Sequence, residues 1–230
     1  MSIAEKLKTV AENEQKVFDA GKRAEYDRFW DDYQQNGNRT IYETAFGGEG
    51  WTNEMFKPKY NMQIANGYMM FRNAQMTGDF VELLEGLNIT FDTSNCTNFN
   101  YMFYGAKFER LGVISCIKGG AISYCFGHCT QLKTIDKLIL KENASTAFTS
   151  AFDGCSRLEN IEVEGAIWAN ISFHVSPLTV ASMKSVISCL KDYSAEGGTH
   201  TVTFKADRET MLTAEEKKVA TDKGWTLVWS

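Results

Sequence analysis

Cys125-x-x-His128-Cys129 places three soft metal ligands within five residues. A thiolate–imidazole–thiolate set at this spacing can meet one zinc ion, which takes such ligands tetrahedrally. A fourth ligand would have to come from elsewhere, because the chain has no second Cys-x-x-Cys pair. A cysteine nucleophile would need a lowered pKa and a histidine beside it. His128, His174 and His200 are the only histidines, and no protease-type Cys–His motif surrounds them. Asp31-Asp32 has the residue type for cation binding or glycoside hydrolysis, but reads as a solvated pair at a helix end. Gly47-Gly48-Glu49-Gly50 lacks a preceding strand and a following Lys-Ser/Thr, so it reads as a turn rather than a phosphate cradle. No nucleophile elbow, P-loop, zincin or dinucleotide motif occurs. Tyr101, Tyr104 and Tyr124 remain as weak binding candidates: aromatic rings in a row stack on sugar rings or on a protein partner if they face solvent. The residues therefore predict no catalytic group, no metal, no cofactor and no enzyme.

The elements that must position these residues form a repeat. Phe126 is followed at +3 by Cys129, at +6 by Leu132 and at +9 by Ile135. Phe152 is followed at the same offsets by Cys155, Leu158 and Ile161. The Phe103 copy keeps Ala106 at +3, then has Phe108 and Leu111 one residue early. An outlying copy begins at Tyr68-Met69-Met70-Phe71 with Ala74 at +3. In this frame Cys129 shares a small-residue stacking position with Cys155 and Ala106, and His128 shares a turn position with Gly154 and Gly105. A buried reduced cysteine behaves as a small hydrophobe, so the frame accounts for the cluster without a metal. No copy can bury its apolar face alone, so the copies must stack. Strands are expected near 111–115, 135–140 and 158–164, side by side in one sheet.

The flanks differ. Ser2-Ile3-Ala4-Glu5 matches a capping box, and Ile3, Leu7, Val10 and Val17 make a thin apolar stripe. Residues 1–38 are thus expected to hold a helix for attachment or homo-oligomerisation. Residues 39–67 form an aromatic lead-in, 68–175 the repeats and 176–230 an α/β cap. In the cap, Thr179 and Thr213 read as helix N-caps, and the latter opens a Thr213–Glu216 capping box. The fold class predicted is α/β: an irregular leucine-rich-repeat solenoid with an N-terminal helix and a C-terminal α/β cap.

Composition limits the partners. Of the 230 residues 43% are apolar and 23% charged, ordinary globular usage that argues against disorder. The net charge of −5 and the lack of a basic run argue against nucleic acid and anionic membrane. No apolar run approaches the length of a membrane span. The start carries no apolar signal core, so synthesis in the cytoplasm and reduced cysteines are expected.

Phe91-Asp92-Thr93-Ser94-Asn95-Cys96-Thr97-Asn98 followed by Tyr101-Met102-Phe103 resembles a signature of bacterial surface-protein repeats. Phe152-x-Gly154-Cys155-x-x-Leu158-x-x-Ile161 resembles the BspA-like leucine-rich repeat. The flanking Phe29-Trp30-Asp31-Asp32-Tyr33-Gln34, Phe46-Gly47-Gly48-Glu49-Gly50-Trp51, Phe56-Lys57-Pro58-Lys59-Tyr60 and the Thr213–Trp225 ending are similar to short proteins of Firmicute phage and prophage tail regions. The resemblance implies a non-enzymatic binding protein, virion-associated, whose partner is a protein or a cell-surface glycan. The alternative it implies is a surface adhesion protein of the bacterium.

Overall fold

The computed structural model describes residues 46–48, 50–58, 61–119, 121–142 and 146–230, together with residues 20, 21, 24, 25 and 28. These last five are helical and exposed. The remainder of the expected N-terminal helix, with its apolar stripe and Asp31-Asp32, lies outside the described residues, as do Tyr42 and Tyr60 of the lead-in.

The repeat phenylalanines form a column. Phe71 stacks on Phe103 at 5.3 Å, Phe103 on Phe126 at 5.8 Å and Phe126 on Phe152 at 5.2 Å, with interplanar angles of 3°, 5° and 15°. Each ring is buried. The column also takes in Phe173, which meets Phe152 at 4.5 Å, and it continues beyond residues 68–175 in both directions: Phe46 stacks on Phe71 at 5.2 Å, and Phe204 lies 6.2 Å beyond Phe173. Successive turns are tied by backbone hydrogen bonds, with Phe46, Phe71, Phe103 and Phe126 donating to the carbonyls of Met70, Met102, Cys125 and Ala151.

The small residues at +3 are buried as expected, and the cysteines among them also bond. The thiol of Cys129 donates to the Phe103 carbonyl at 2.8 Å, and that of Cys155 to the Phe126 carbonyl at 2.9 Å. Cysteine here fills a small apolar space and satisfies a carbonyl of the preceding turn.

After each turn the chain enters a strand. β1 (Met62–Gln63) pairs with β3 (Phe91–Asp92). β2 (Thr77–Asp79), β4 (Lys107–Ser115), β5 (Thr134–Ile139) and β6 (Asn160–Glu164) form a parallel sheet in that order. Leu111 lies opposite Ile135 and Ile135 opposite Ile161, the register the alignment predicts. Buried residues recur every third position through Leu132, Ile135 and Leu138, unlike the alternation of a plain strand. β6 instead buries Ile161 and Val163, and the ladder takes up the extra residue as an irregularity between Ile135 and Leu138.

Helices close the exposed ends of this sheet. α1 (Phe80–Gly86) starts at Asp79, whose carboxylate accepts from the amides of Val81 and Glu82. α2 (Val180–Ser188) is capped by Thr179 and lies along β6. Its Ser182 and Ser185 hydroxyls accept from the amides of Ile161 and Val163 at 2.9 and 2.8 Å. Serines at i and i+3 share one helix face, so they occupy the edge that another strand would otherwise pair with. β7 (Ile171–Phe173), β8 (His200–Phe204) and β9 (Trp225–Trp229) form a separate three-stranded parallel sheet. α3 (Ala214–Asp222) precedes β9 and carries the full Thr213–Glu216 capping box. The protein is a mixed α/β structure of parallel sheets with few helices. Among the described residues no sheet closes into a barrel, and no helix is long and apolar enough to cross a membrane.

Candidate functional site

Each turn carries two residues with left-handed backbone, two before and two after the column phenylalanine. The first set is Met69, Tyr101, Tyr124 and Ser150, with φ of 55°, 58°, 56° and 48°. The second is Asn73, Gly105, His128 and Gly154, with φ of 58°, 67°, 58° and 73°. Left-handed backbone strains L-residues, and its recurrence in register carries successive side chains to one face of the molecule.

The three candidate tyrosines meet on that face. Tyr101 and Tyr124 stack at 4.7 Å with an interplanar angle of 3°. Tyr104 packs against both, at 5.5 and 6.4 Å, and its ring comes within 5.2 Å of His128. Gly127 makes this possible: a Cβ there would stand 3.0 Å from the Tyr104 ring. Gly154 likewise makes room for His128. All three tyrosines are half-buried, their rings packed on each other with part of each left to solvent.

Arg72, which the sequence reading did not single out, completes the ridge. Its guanidinium lies 5.6 Å from the Tyr101 ring centre and 5.7 Å from that of Tyr104. One nitrogen contacts the Met69 sulfur at 3.5 Å, and among the described residues the buried Nε has no hydrogen-bond partner. Cation–π attraction holds the charge over the rings without consuming it in an ion pair. The available signal was its position directly after Phe71, equivalent to Tyr104 after Phe103. Further along, Asp153 and His174 follow Phe152 and Phe173 in the same way. His174 Nδ1 lies 3.9 Å from Asp153 and 3.2 Å from the Ser172 hydroxyl.

The cysteine–histidine cluster does not converge. Cys125 and Cys129 are buried, whereas His128 is exposed. All six cysteines are free thiols. Burial pushes the Cys96 thiol up to about 11 and the Cys129 thiol up to about 12, and holds Cys116, Cys125 and Cys155 well above the ordinary range. These thiols stay protonated and unreactive. Gly47, Gly50, Trp51 and Met55 line a small cavity of about 140 Å³ in the lead-in.

Comparison of the chain with protein-family models, with curated proteins and with solved structures finds no match.

Proposed function

We propose that this chain is a non-enzymatic binding protein, built as a solenoid of irregular BspA-like leucine-rich repeats. We assign it to the tail of a phage or prophage particle, where it contacts the bacterial surface or another particle protein. The observation that carries the binding reading is the Arg72–Tyr101–Tyr104–Tyr124 ridge. It gathers aromatic surface on one face with a guanidinium that has no ion-pair partner among the described residues. Tyr and Arg are the residue types that dominate recognition surfaces. The in-register phenylalanine column supports the solenoid reading, since each turn finds its apolar partner only on its neighbours. The tail assignment rests on the sequence resemblance of the flanks.

The test is an array of cell-wall glycans and purified tail proteins probed with the full chain. Tyr101→Ala/Tyr104→Ala and Arg72→Ala are expected to lose binding while keeping the melting temperature within a few degrees. Binding that survives in both variants would sink the ridge as the recognition surface.

A further inference from the structure

Both edges of the four-stranded sheet are guarded by side chains. At β2 the Asn53 amide group accepts from the Thr77 N–H at 2.9 Å and donates to the Thr77 carbonyl at 3.0 Å. At β6 the Ser182 and Ser185 hydroxyls take the amides of Ile161 and Val163. β9, the outer strand of the three-stranded sheet, has no such guard. It pairs with β8 on one side, where Ser230 donates to the Phe204 carbonyl and accepts from the Ala206 amide. Successive residues of a parallel strand bond to opposite sides. Thr226, Val228 and Ser230 therefore face β8, and Trp225, Leu227 and Trp229 turn their backbone groups outward. Among the described residues nothing bonds to the outward amides and carbonyls of Leu227 and Trp229. The strand also lacks the devices that blunt an open edge. Trp225-Thr226-Leu227-Val228-Trp229 holds no charge and no proline, and its register with β8 is unbroken. Thr226 is exposed and Leu227, Val228 and Trp229 are half-buried. Val219, on the helix packed against β9, is 44% exposed.

We propose that β9 is a homodimer interface, at which a second copy of the chain adds its own β9 antiparallel across the open edge. Two copies of one edge related by a two-fold axis run antiparallel. The strand's own sequence selects the second copy as occupant: in either direction it reads Trp, β-branched residue, Leu, β-branched residue, Trp. With the axis at Leu227, every outward-facing residue meets an outward-facing one. Leu227 meets its own copy and Trp225 meets Trp229, and each such pair exchanges N–H···O bonds. Thr226 meets Val228 on the opposite face. Aromatic–aromatic and β-branched pairs are cross-strand combinations that stabilise sheets. A one-residue slip would set outward-facing groups against side already bonded to β8, and would turn Trp and Leu to the wrong face. A strand of another protein would gain nothing from a sequence that reads alike both ways. The proposal is independent of the Arg72–tyrosine ridge, which belongs to earlier turns. Each dimer carries two such ridges.

The experiment is sedimentation of the full chain at about 100 μM, where a micromolar Kd leaves most of it dimeric. Wild type should sediment at twice the 25.9 kDa chain mass. Leu227→Lys sets two like charges opposite each other at the axis, and should raise the dissociation constant about ten-fold or more. A monomeric wild type overturns the proposal. So does a folded Leu227→Lys variant that associates as wild type does, since self-association would then run through another surface. Oxidative cross-linking gives a second readout should Leu227→Lys not fold. In Leu227→Cys the two introduced thiols lie directly opposite, with Cα atoms about 5.5 Å apart, within disulfide reach. Thr226→Cys places them diagonally, about 7–8 Å apart, outside it. Wild type, with its six free thiols, is the background. Leu227→Cys should form a covalent dimer under mild oxidation, and Thr226→Cys and wild type should not. No cross-link in Leu227→Cys, or one no faster than in Thr226→Cys, overturns the two-fold pairing at Leu227.

Discussion

The sheet face and the turn face of this protein use their polar side chains in opposite ways. On the sheet, Arg110 on β4 bonds both carboxylate oxygens of Asp136 on β5 at 2.7 Å and reaches Asp79 at 3.0 Å. Lys133 reaches Glu109 at 2.6 Å, and Lys137 on β5 reaches Glu162 and Glu164 on β6 at 2.8 and 3.1 Å. Each pair links neighbouring turns, and the titration of the groups reflects it. The Lys133 hydrogen bond holds Glu109 below the usual carboxylate range, and Glu162 and Glu164 hold Lys137 above the usual lysine range. On the turn face, Arg72 finds rings and a sulfur instead of a carboxylate. The difference teaches where to look for function: charges spent on neighbouring strands stabilise the stack, and a charge left over aromatic surface is available to a partner.

The largest effect that bears on this comparison lies beneath both faces. Phe152→Ala opens a cavity in the middle of the ring column and should cost about 3–5 kcal/mol, read from the urea midpoint. A loss below about 1 kcal/mol would mean that the column is not the element holding the turns together.

Next in size is Gly165→Ala at the end of β6, where φ is +90° and a Cβ would stand 2.2 Å from the Leu140 carbonyl oxygen. Backbone cannot yield as a flexible side chain does. We expect a loss of about 2–3 kcal/mol, measured in the same way.

A third prediction concerns the thiols inside the stack. Burial keeps Cys129 protonated up to about 12 and Cys96 up to about 11, whereas in the unfolded chain both ionise near ~8.5. Above that value the folded state holds more protons than the unfolded one, so stability falls as pH rises. This contribution is fully present below the unfolded pKa and is lost on the way to the folded one. Cys129→Ala, which copies Ala106, removes one such thiol. Between about pH 8 and pH 9.5 its stability should fall by ~1 kcal/mol less than wild type. Parallel curves would show that the thiol ionises freely in the fold.

The smallest effect separates the two faces directly. Arg110→Ala should lose about 1 kcal/mol, the upper range for a half-exposed pair with two-point geometry. Arg72→Ala should change stability by less than about 0.5 kcal/mol while weakening array binding. Equal stability losses would erase the distinction between a structural and an available arginine.

Much of the architecture was legible because it depends on patterns local to one turn. The Phe, small residue, Leu and Ile offsets fixed which side chains go inward, and the register of Leu111, Ile135 and Ile161 followed from aligning them. Thr179 and Thr213 were readable as caps because capping involves only the next three residues. The full ring column was not readable: Phe46, Phe173 and Phe204 stand at spacings of 21 to 31 residues from their neighbours, outside any clean period. Ser182 and Ser185 gave no hint that they cap an edge strand, because their partners on β6 lie about twenty residues away.

The candidate site divides along the same line. Residue type and alignment were enough to bring Tyr101, Tyr104 and Tyr124 forward, and to put His128 at a turn shared with two glycines. Tyr101 and Tyr124 sit on left-handed backbone, which residue types alone do not dictate for tyrosine. The pairing of Arg110, and the lack of a carboxylate for Arg72 among the described residues, are likewise matters of which turn stacks on which. Sequence determined the inward side of each turn, since burying apolar area is a property of the residues themselves. Tertiary structure alone decided which polar groups meet, because a hydrogen bond or ion pair exists only when two turns bring its partners within about 3 Å.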